Sequence, residues 1–316
     1  MKKPEILVAP ENLEEIKLLA SAGADAFVIG DSRFALVLKN SFNLEDLKNA
    51  VNLCNGLQKS VYLLIDAIFP NAFLDDLSTF LNQIKDLKFD AIRVADLGAY
   101  MKIKEILPQM KLHLVDGFVL TNHFTVNYWH SKGMTRARLA HELTLEEVLE
   151  IKKFSKPEIE VLVQGAPLMF TSRRKLIENY LDFKKILGKD ITVSDNNNFL
   201  FDSERDLHYP IMENPHGTHI YGGKDVCMID DLKEMICAGI DSFYIEGYTY
   251  HSQNYVEVVK LYRAAIDLVN ADAEKYQKVA LALYNETLKF QGDFRKTDRG
   301  FYYKPTIYKN QMKAGR

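Results

Sequence analysis

Residues 22–29 read AGADAFVI, and residues 238–245 repeat the pattern as AGIDSFYI. In each stretch, a glycine suited to a left-handed helix cap is followed by an aspartate and a short apolar run. The pattern predicts a helix that ends at the glycine, a tight turn and a buried strand. Because the same junction occurs near both ends of the sequence, it indicates a protein built from repeated strand–helix units.

Eight short apolar runs alternate with stretches of helical period along the chain. The runs are residues 6–8, 26–29, 61–65, 91–94, 112–115, 137–140, 159–163 and 242–245. Residues 44–55 and 145–154 carry apolar side chains at helical spacing, which predicts amphipathic helices. Eight such units favour an α/β fold of the parallel (β/α)8 TIM-like barrel type. An open eight-stranded sheet is the alternative that periodicity alone does not exclude.

The barrel is expected to span residues 1–270, with a turn-rich insertion at residues 189–226 between the seventh and eighth units. Residues 271–316 are expected to form a C-terminal helix and a basic, aromatic tail that packs on the barrel. Residues 295–316 contain seven basic side chains and one acidic side chain, with aromatic residues between them. This composition suits phosphate contact and base stacking, whereas the alternative is a chain end whose lysines stay in water. The candidate nucleic-acid contacts are Arg299, Lys304, Lys309 and Lys313.

The overall composition limits the possible classes of protein. Among 316 residues, 40 are basic and 43 acidic, so the net charge of −3 excludes a globally basic nucleic-acid binder but not a local basic patch. No apolar run approaches the roughly 18 residues of a membrane span, and no apolar signal segment follows the first residues. The three cysteines are too few for a disulfide scaffold. They fit a reducing compartment, so a cytoplasmic location is expected.

In a TIM barrel the ligand site forms at the carboxyl ends of the strands. The candidate catalytic residues at those ends are His141, Glu142, Gln164 and Glu246. The alternative role for the carboxylates is to cap the following helices. The candidate contacts for a substrate anion are Arg33 and, at the predicted start of the helix after the seventh strand, Arg173 and Arg174. A solvated basic face is the alternative for this pair.

Other catalytic patterns are weak or missing. His208, His216 and His219 lie close together in the insertion, but no cysteine accompanies them, so no metal site is predicted. The sequence contains no glycine-rich phosphate fingerprint after the first strand, no Walker motif, no Gly-x-Ser-x-Gly elbow and no His-Glu-x-x-His motif. The common nucleotide-binding, esterase and zinc-peptidase classes therefore have no support.

Several segments in consecutive order resemble the peptidase U32 family, also called the collagenase-like protease family. They are residues 23–34, 127–147, 160–166, 217–227 and 238–247. The resemblance covers nearly the whole chain and implies a barrel-like fold. Some members of this family carry a protease label without assigned catalytic residues. Others act in hydroxylation, including that of the tRNA wobble uridine to 5-hydroxyuridine with prephenate.

The hydroxylating members of the family typically hold an iron–sulfur cluster through four cysteines. In this sequence, Leu168 and Lys175 stand where the family pattern has cysteines, and the remaining thiols are Cys54, Cys227 and Cys237. Three scattered cysteines do not supply four ligands. No cofactor is therefore expected in this chain, in contrast to the cluster-bearing members that it resembles.

The resemblance implies a tRNA-modification protein that assists formation of wobble 5-hydroxyuridine. The expected partners are tRNA, a small dicarboxylate such as prephenate, and a longer family member as a second subunit, with no membrane. Two alternatives stay open, a U32-type peptidase and a non-catalytic scaffold subunit. Whether the chain is catalytic by itself is also open at this point.

Overall fold

The computed structural model describes residues 2–36, 38–187, 198–292 and 294–304, except for the side chain of Asp116. The strands in chain order are β1 (Glu5–Val8), β2 (Ala26–Ile29), β3 (Ser60–Ile65), β4 (Ala91–Val94), β5 (Leu112–Leu114), β6 (Met134–Arg138), β7 (Glu158–Gly165), β8 (Leu168–Ser172), β9 (Phe199–Asp202), β10 (Leu207–Asn214), β11 (Gly217–Tyr221), β12 (Lys224–Cys227), β13 (Ser242–Ile245) and β14 (Lys296–Asp298).

Helices cover most of the connections between these strands. They are α1 (Leu13–Ala22), α2 (Leu44–Gly56), α3 (Asn71–Ile84), α4 (Leu97–Ile106), α5 (His123–Ser131), α6 (Leu145–Phe154), α7 (Leu176–Ile186), α8 (Leu232–Cys237), α9 (Ser252–Ala271) and α10 (Ala273–Thr287). In the described part of the chain, none of them combines the length and apolarity needed to cross a bilayer.

Strands β1 to β7 and β13 form a closed parallel barrel, which confirms the (β/α)8 prediction. Neighbours pair in the order β13-β1-β2-β3-β4-β5-β6-β7, and β13 also pairs with β7 to close the ring. The predicted sixth strand at 137–140 was displaced by three residues. Strand β6 instead spans Met134–Arg138, because Thr135 and Arg136 are strand residues whose polarity hides the apolar pattern at its start.

The recurrent αβ junctions have a structural role. Gly23 caps α1 in the left-handed region at φ 106°, as the sequence repeat predicted. The aspartate that follows such a turn accepts a hydrogen bond from the first amides of a neighbouring strand. Asp25 accepts from Ile6 N at 2.9 Å, and Asp241 accepts from Ile159 N at 2.9 Å. Each junction thereby satisfies an otherwise unpaired strand end and fixes its register.

The insertion is larger than the sequence predicted. Instead of a turn-rich loop at 189–226, strands β8 to β11 form a separate antiparallel sheet in the order β8-β11-β10-β9. Helix α7 connects β8 to the chain leading to β9 and belongs to the insertion. The short helix α8 precedes the last barrel strand and takes the position of the seventh barrel helix.

The C-terminal segment returns to the barrel. Strand β14 pairs in parallel with β12, and the buried Arg295 guanidinium binds the Asp225 carboxylate at 2.6 Å. Tyr302 is buried and donates its hydroxyl to Leu162 O at 2.7 Å, while its own carbonyl accepts from Leu145 N. Phe301 is more exposed, at 39%.

Candidate functional site

The mouth of the barrel contains a cavity of about 320 Å³, which we call the mouth cavity. Its walls come from the segments after β3 to β6 and from β8 of the insertion. The segment after β5 turns tightly at Gly117, where a Cβ atom would lie 2.2 Å from Ala95 O, so only glycine fits. The polar side chains that line this cavity include Asp66, Asp96, Arg138, His141 and Glu142.

His141 and Glu142 lie together on the wall of the mouth cavity. His141 Nε2 is 3.7 Å from Glu142 Oε1. A capping box formed by Thr144 and Glu147 starts α6 just beyond them and fixes the path of the connecting segment. A proton-transfer group beside a carboxylate is thus placed where a reacting molecule would sit, while the catalytic role of both residues stays a prediction.

Gln164 and Glu246 line neither this cavity nor its neighbour described below. Gln164 is buried, donates its amide to the Tyr250 hydroxyl at 2.6 Å and accepts from the Tyr262 hydroxyl at 2.9 Å. Glu246 accepts hydrogen bonds from the Tyr244 hydroxyl and from Tyr248 N, both at 3.0 Å. Gln164 is therefore engaged by two tyrosine hydroxyls, and its role as a substrate contact stays a prediction. A register shift in the pairing of β13 with β7 lies beside Gln164.

A charged network that the sequence pattern did not predict lies inside the barrel. Arg93 and Glu160 are both buried and form a bidentate ion pair with distances of 2.6 and 2.7 Å. Arg138 lies 4.0 Å from Glu160, and its guanidinium is 4.5 Å from the centre of the Tyr244 ring. The visible signal was a charged or tyrosine residue at alternate positions of short strands, which places those side chains on the interior face.

This network determines the ionisation of Glu160 and Tyr244 inside the barrel. Burial opposes ionisation of Glu160, but the positive charges of Arg93, Arg138 and Arg136 lower its pKa below the usual value. Burial raises the pKa of the Tyr244 phenol well above its usual value, so the hydroxyl stays a hydrogen-bond donor to Glu246. Arg138, which lines the mouth cavity, is therefore positioned by the ionised Glu160 carboxylate and the Tyr244 ring.

A second cavity of about 450 Å³, the side cavity, adjoins the mouth cavity and shares Leu36, Ala67 and Ile68 with it. Phenylalanines of the β2 and β3 loops and of α3 form one wall, and Arg33 and Arg173 line it. The insertion is tied to the barrel here, because His216 Nε2 donates to Ser32 O at 2.6 Å. The side cavity thus combines an aromatic wall with two cations.

The three anion-binding candidates on the rim differ in their surroundings. Arg33 binds Asp31 through two hydrogen bonds of 3.0 and 2.7 Å and lies over the Phe34 ring. The hydrogen bond to Asp31 raises the pKa of Arg33. Arg173 lines the side cavity, whereas Arg174 lines neither cavity.

The predicted helix start at residues 172–175 is wrong, because α7 begins at Leu176. Its first amides are already bound within the protein. The Glu213 carboxylate accepts from Ile177 N at 2.9 Å, and the Thr218 hydroxyl accepts from Leu176 N. The anion at this helix N-terminus is therefore a side chain of the insertion and not a substrate.

The basic residues of the tail are also engaged within the protein. Arg299 forms ion pairs with Asp230 and Asp231, and its guanidinium is 4.2 Å from the centre of the Tyr284 ring. Lys304 binds Asp298 at 2.7 Å. These contacts compensate the charge of Arg299 within the protein, and its role as a nucleic-acid contact stays a prediction. Lys309 and Lys313 lie outside the described residues.

The thiols and histidines do not assemble into a metal site within the described residues. Cys54, Cys227 and Cys237 lie on three different elements, α2, β12 and α8. Burial raises the pKa of the Cys54 and Cys227 thiols to about 12, so both stay protonated. The residues present therefore do not fit a cluster held by four thiolates.

Comparisons with known proteins agree with this architecture. A family model described as peptidase family U32 matches residues 11–311. The chain is 39% identical to tRNA hydroxylation protein P2 of Bacillus subtilis, over 98% of this chain and 100% of that protein. It is 28% identical to tRNA hydroxylation protein P of Escherichia coli, over 84% of this chain and 68% of that protein. The solved U32 peptidase Mk0906 shares the fold, with a TM-score of 0.50 at 15% identity over 78% of this chain and 94% of that chain.

Proposed function

Because this chain belongs to peptidase family U32, we propose that it acts in tRNA modification, in the hydroxylation of wobble uridine to 5-hydroxyuridine. The observation that carries the proposal is the 39% identity with a tRNA hydroxylation protein along the full length of that protein. A cytoplasmic location, where tRNA is available, belongs to the same proposal.

The mouth cavity suits a uracil base. The pairing edge of uracil offers acceptor, donor and acceptor groups in succession. Arg138 and His141 supply donors on the cavity wall, while Asp66 and Glu142 supply acceptors. Enzymes that modify a base receive it unstacked, in a fitted pocket that reads its hydrogen-bonding edge. A wobble base in a single-stranded loop can enter such a pocket at little cost.

The side cavity suits a small dicarboxylate such as prephenate. Arg33 and Arg173 would bind its carboxylates, and the phenylalanine wall would pack against its ring. Because the side cavity adjoins the mouth cavity, a molecule bound there lies beside a uracil in the mouth. Replacing the uracil C5–H by C5–OH is a two-electron oxidation that needs an electron acceptor and a source of the hydroxyl oxygen. The residues of this chain supply neither, so their roles are limited to binding, orientation and proton transfer.

The thiols of this chain do not fit the four-cysteine cluster of related hydroxylases, so we assign no step to one. The protein's own groups bind and orient the two substrates, and His141 with Glu142 moves the proton that C5 loses. A longer family member as a second subunit is part of this proposal. Its test is co-purification of the two chains from cells that express both at native levels.

Deleting the gene for this chain is expected to lower wobble 5-hydroxyuridine in total tRNA, measured by nucleoside mass spectrometry. Reintroducing the wild-type gene should restore it. The control is a strain that also lacks every paralogue of the family, since a redundant relative could mask the loss. Undiminished 5-hydroxyuridine in that strain would contradict the proposed function.

Replacing Arg173 by methionine is expected to raise the KM for the dicarboxylate about tenfold or more, because one charge-assisted hydrogen bond contributes about 1.5–3 kcal/mol. The Arg174→Met variant is the matched control, since this neighbour lines neither cavity. Both KM values are measured with the tRNA held at saturation. Equal KM values for the two variants would show that the dicarboxylate does not bind in the side cavity.

The peptidase alternative has less support. Peptide hydrolysis needs an activated nucleophile or a metal-bound water. The residues that line the mouth cavity include no serine or cysteine; the one hydroxyl side chain among them is Thr171, 3.3 Å from His219 Nδ1. The described residues contain no group of three metal-ligating side chains. Cleavage of gelatin by the purified protein, abolished by His141→Asn, would favour the peptidase. A scaffold role predicts activity only in the presence of the longer subunit.

A further inference from the structure

A hydroxyl group of the insertion faces the site at the mouth of the barrel. Among the described residues that line the mouth cavity, Thr171 carries the one hydroxyl side chain. In the insertion sheet, Thr171 of β8 lies directly opposite His219 of β11, and its Oγ1 atom is 3.3 Å from His219 Nδ1. His219 itself is fully buried and lines neither cavity. A ligand in the mouth cavity therefore meets this imidazole through the Thr171 hydroxyl.

Asn214 determines which nitrogen of His219 carries a hydrogen. Asn214 Oδ1 is 3.0 Å from His219 Nε2 and also accepts from His216 N at 2.9 Å. The amide nitrogen of Asn214 donates to Leu36 O at 2.7 Å, so turning the amide round would break all of these bonds. Because the amide oxygen only accepts, His219 Nε2 is the donor. In a neutral imidazole, Nδ1 is then an acceptor.

The charge state of His219 gives a direction to its bond with Thr171. Burial, with a smaller effect from the charge of His216, lowers the pKa of His219 to about 4. The ring is therefore neutral near pH 7, and Nδ1 accepts the hydrogen of the Thr171 hydroxyl. A hydroxyl has one hydrogen to donate and two lone pairs. With its hydrogen held by His219, the Thr171 hydroxyl acts towards a ligand only as an acceptor.

A group that only accepts can bind a uracil base at one position. Since N1 is joined to the ribose, N3–H is the only hydrogen-bond donor of the ring. The proposed function places His141 and Glu142 at C5, on a different edge of the ring from N3. Asp66 and Asp96 also line the cavity, but their carboxylates already accept backbone hydrogen bonds at 2.7 and 2.9 Å. Thr171 is thus the acceptor that suits N3–H.

We propose that the Thr171 hydroxyl accepts a hydrogen bond from N3–H of the wobble uracil and thereby selects uracil against cytosine, with His219 and Asn214 as positioning residues. The inference rests on the proposed function, because it takes uracil as the substrate. Cytosine in the same orientation places the lone pair of its N3 atom against the lone pairs of the Thr171 oxygen. A site that is built to form a hydrogen bond rejects a ligand that leaves its polar group unpaired.

The contact with His219 is essential to this selection. A threonine hydroxyl without such a contact rotates to donate or to accept, as its neighbour requires. It would then bind the N3 atom of either base. The imidazole removes this freedom by holding the hydroxyl hydrogen, so its effect on a ligand is exerted through Thr171.

The test compares two anticodon stem-loops that differ only in uridine or cytidine at the wobble position. Fluorescence anisotropy measures their dissociation constants with the full-length protein. The wild type is expected to bind the uridine loop about tenfold or more tightly, the effect of one unpaired buried polar group. Thr171→Val has the same shape without the hydroxyl and should lose this preference, whereas Thr171→Ser should keep it. The control is Thr125→Val on α5, which lines neither cavity and should bind like the wild type.

The Asn214→Asp variant separates this role from a structural one. A carboxylate beside Nε2 raises the pKa of His219 and favours the charged ring, which donates from Nδ1 to the Thr171 oxygen. The hydroxyl hydrogen is then released to face the base, so binding of the uridine loop should weaken and binding of the cytidine loop should strengthen. Circular dichroism establishes that each variant keeps the wild-type fold.

The outcomes distinguish the inference from the function on which it rests. Equal affinities of the wild type for the two loops would overturn the inference and leave the proposed function in place, as would an unchanged preference in the Thr171→Val protein. A wild type that binds neither loop, alone or with the longer subunit, would contradict the proposed function and this inference with it.

Discussion

Replacing Glu160 by glutamine is expected to lower the free energy of unfolding by about 3–5 kcal/mol, the usual result of removing one partner of a buried ion pair. Glu160 accepts both hydrogen bonds of the Arg93 guanidinium and also lies 3.9 Å from Arg136 and 4.0 Å from Arg138. Glutamine has nearly the same volume but no charge, so three cations lose their shared counter-ion. Urea unfolding followed by circular dichroism measures the loss.

The matched control is Arg93→Met, which removes one of the three cations and leaves Glu160 with the other two. We expect a smaller loss than for Glu160→Gln. The double variant Arg93→Met with Glu160→Leu should recover part of the loss, because apolar pairs often replace buried ion pairs at little cost. A Glu160→Gln protein as stable as the wild type would show that the network does not stabilise the barrel.

The Glu160 carboxylate also makes the free energy of unfolding depend on pH. The pKa of Glu160 is lower in the folded protein than its usual value of 4.5. Its contribution to stability is therefore present above pH 4.5 and is lost as the pH falls through the lower folded pKa. The Glu160→Gln variant lacks this group, so the difference in stability between the two proteins should shrink below pH 4.5.

Replacing His141 by asparagine is expected to lower the rate of 5-hydroxyuridine formation by about 100- to 10,000-fold, the range for loss of a general acid–base group. His141 lines the mouth cavity and lies 3.7 Å from Glu142, and in the proposed function it takes the proton from C5. Single-turnover modification of unmodified tRNA by the purified protein, with any required partner, measures the rate.

The His123→Asn variant is the control for this experiment, because His123 begins α5 on the same side of the barrel but lines neither cavity. Its rate should match the wild type. The binding of tRNA to the His141→Asn protein should also be retained, which separates chemistry from docking. If the His141→Asn protein modifies tRNA at the wild-type rate, His141 is not the acid–base group of the reaction.

The regular part of the barrel was predictable because its signals are local. The glycine and aspartate of residues 22–29 determine a helix cap and a turn within a few residues, and the structure contains that cap at Gly23. Helix α6 spans Leu145–Phe154, the range that the apolar spacing predicted. Strand β6 was misplaced because Thr135 and Arg136 interrupt the apolar pattern at its start while still belonging to the sheet.

The site was predicted only in part. His141 and Glu142 follow a strand in sequence, and strand ends meet at the barrel mouth, so their placement followed from topology. Gln164 also lies at the end of a strand, yet its amide is hydrogen-bonded to Tyr250 and Tyr262, which come from segments far along the chain. Arg138 was overlooked as a site residue because a charge within a strand reveals its partner only when the barrel closes.

The sequence by itself determined the strand–helix repeat, the residues at the strand ends and the lack of four cysteines for a cluster. These properties depend on local backbone preferences and on residue identity. Only the tertiary structure decided which charges are compensated. It separated Arg173, on the wall of the side cavity, from Arg299, which is paired with Asp230. The physical reason is that pairing energy depends on distance and burial, and both are set by contacts between segments far apart in the chain.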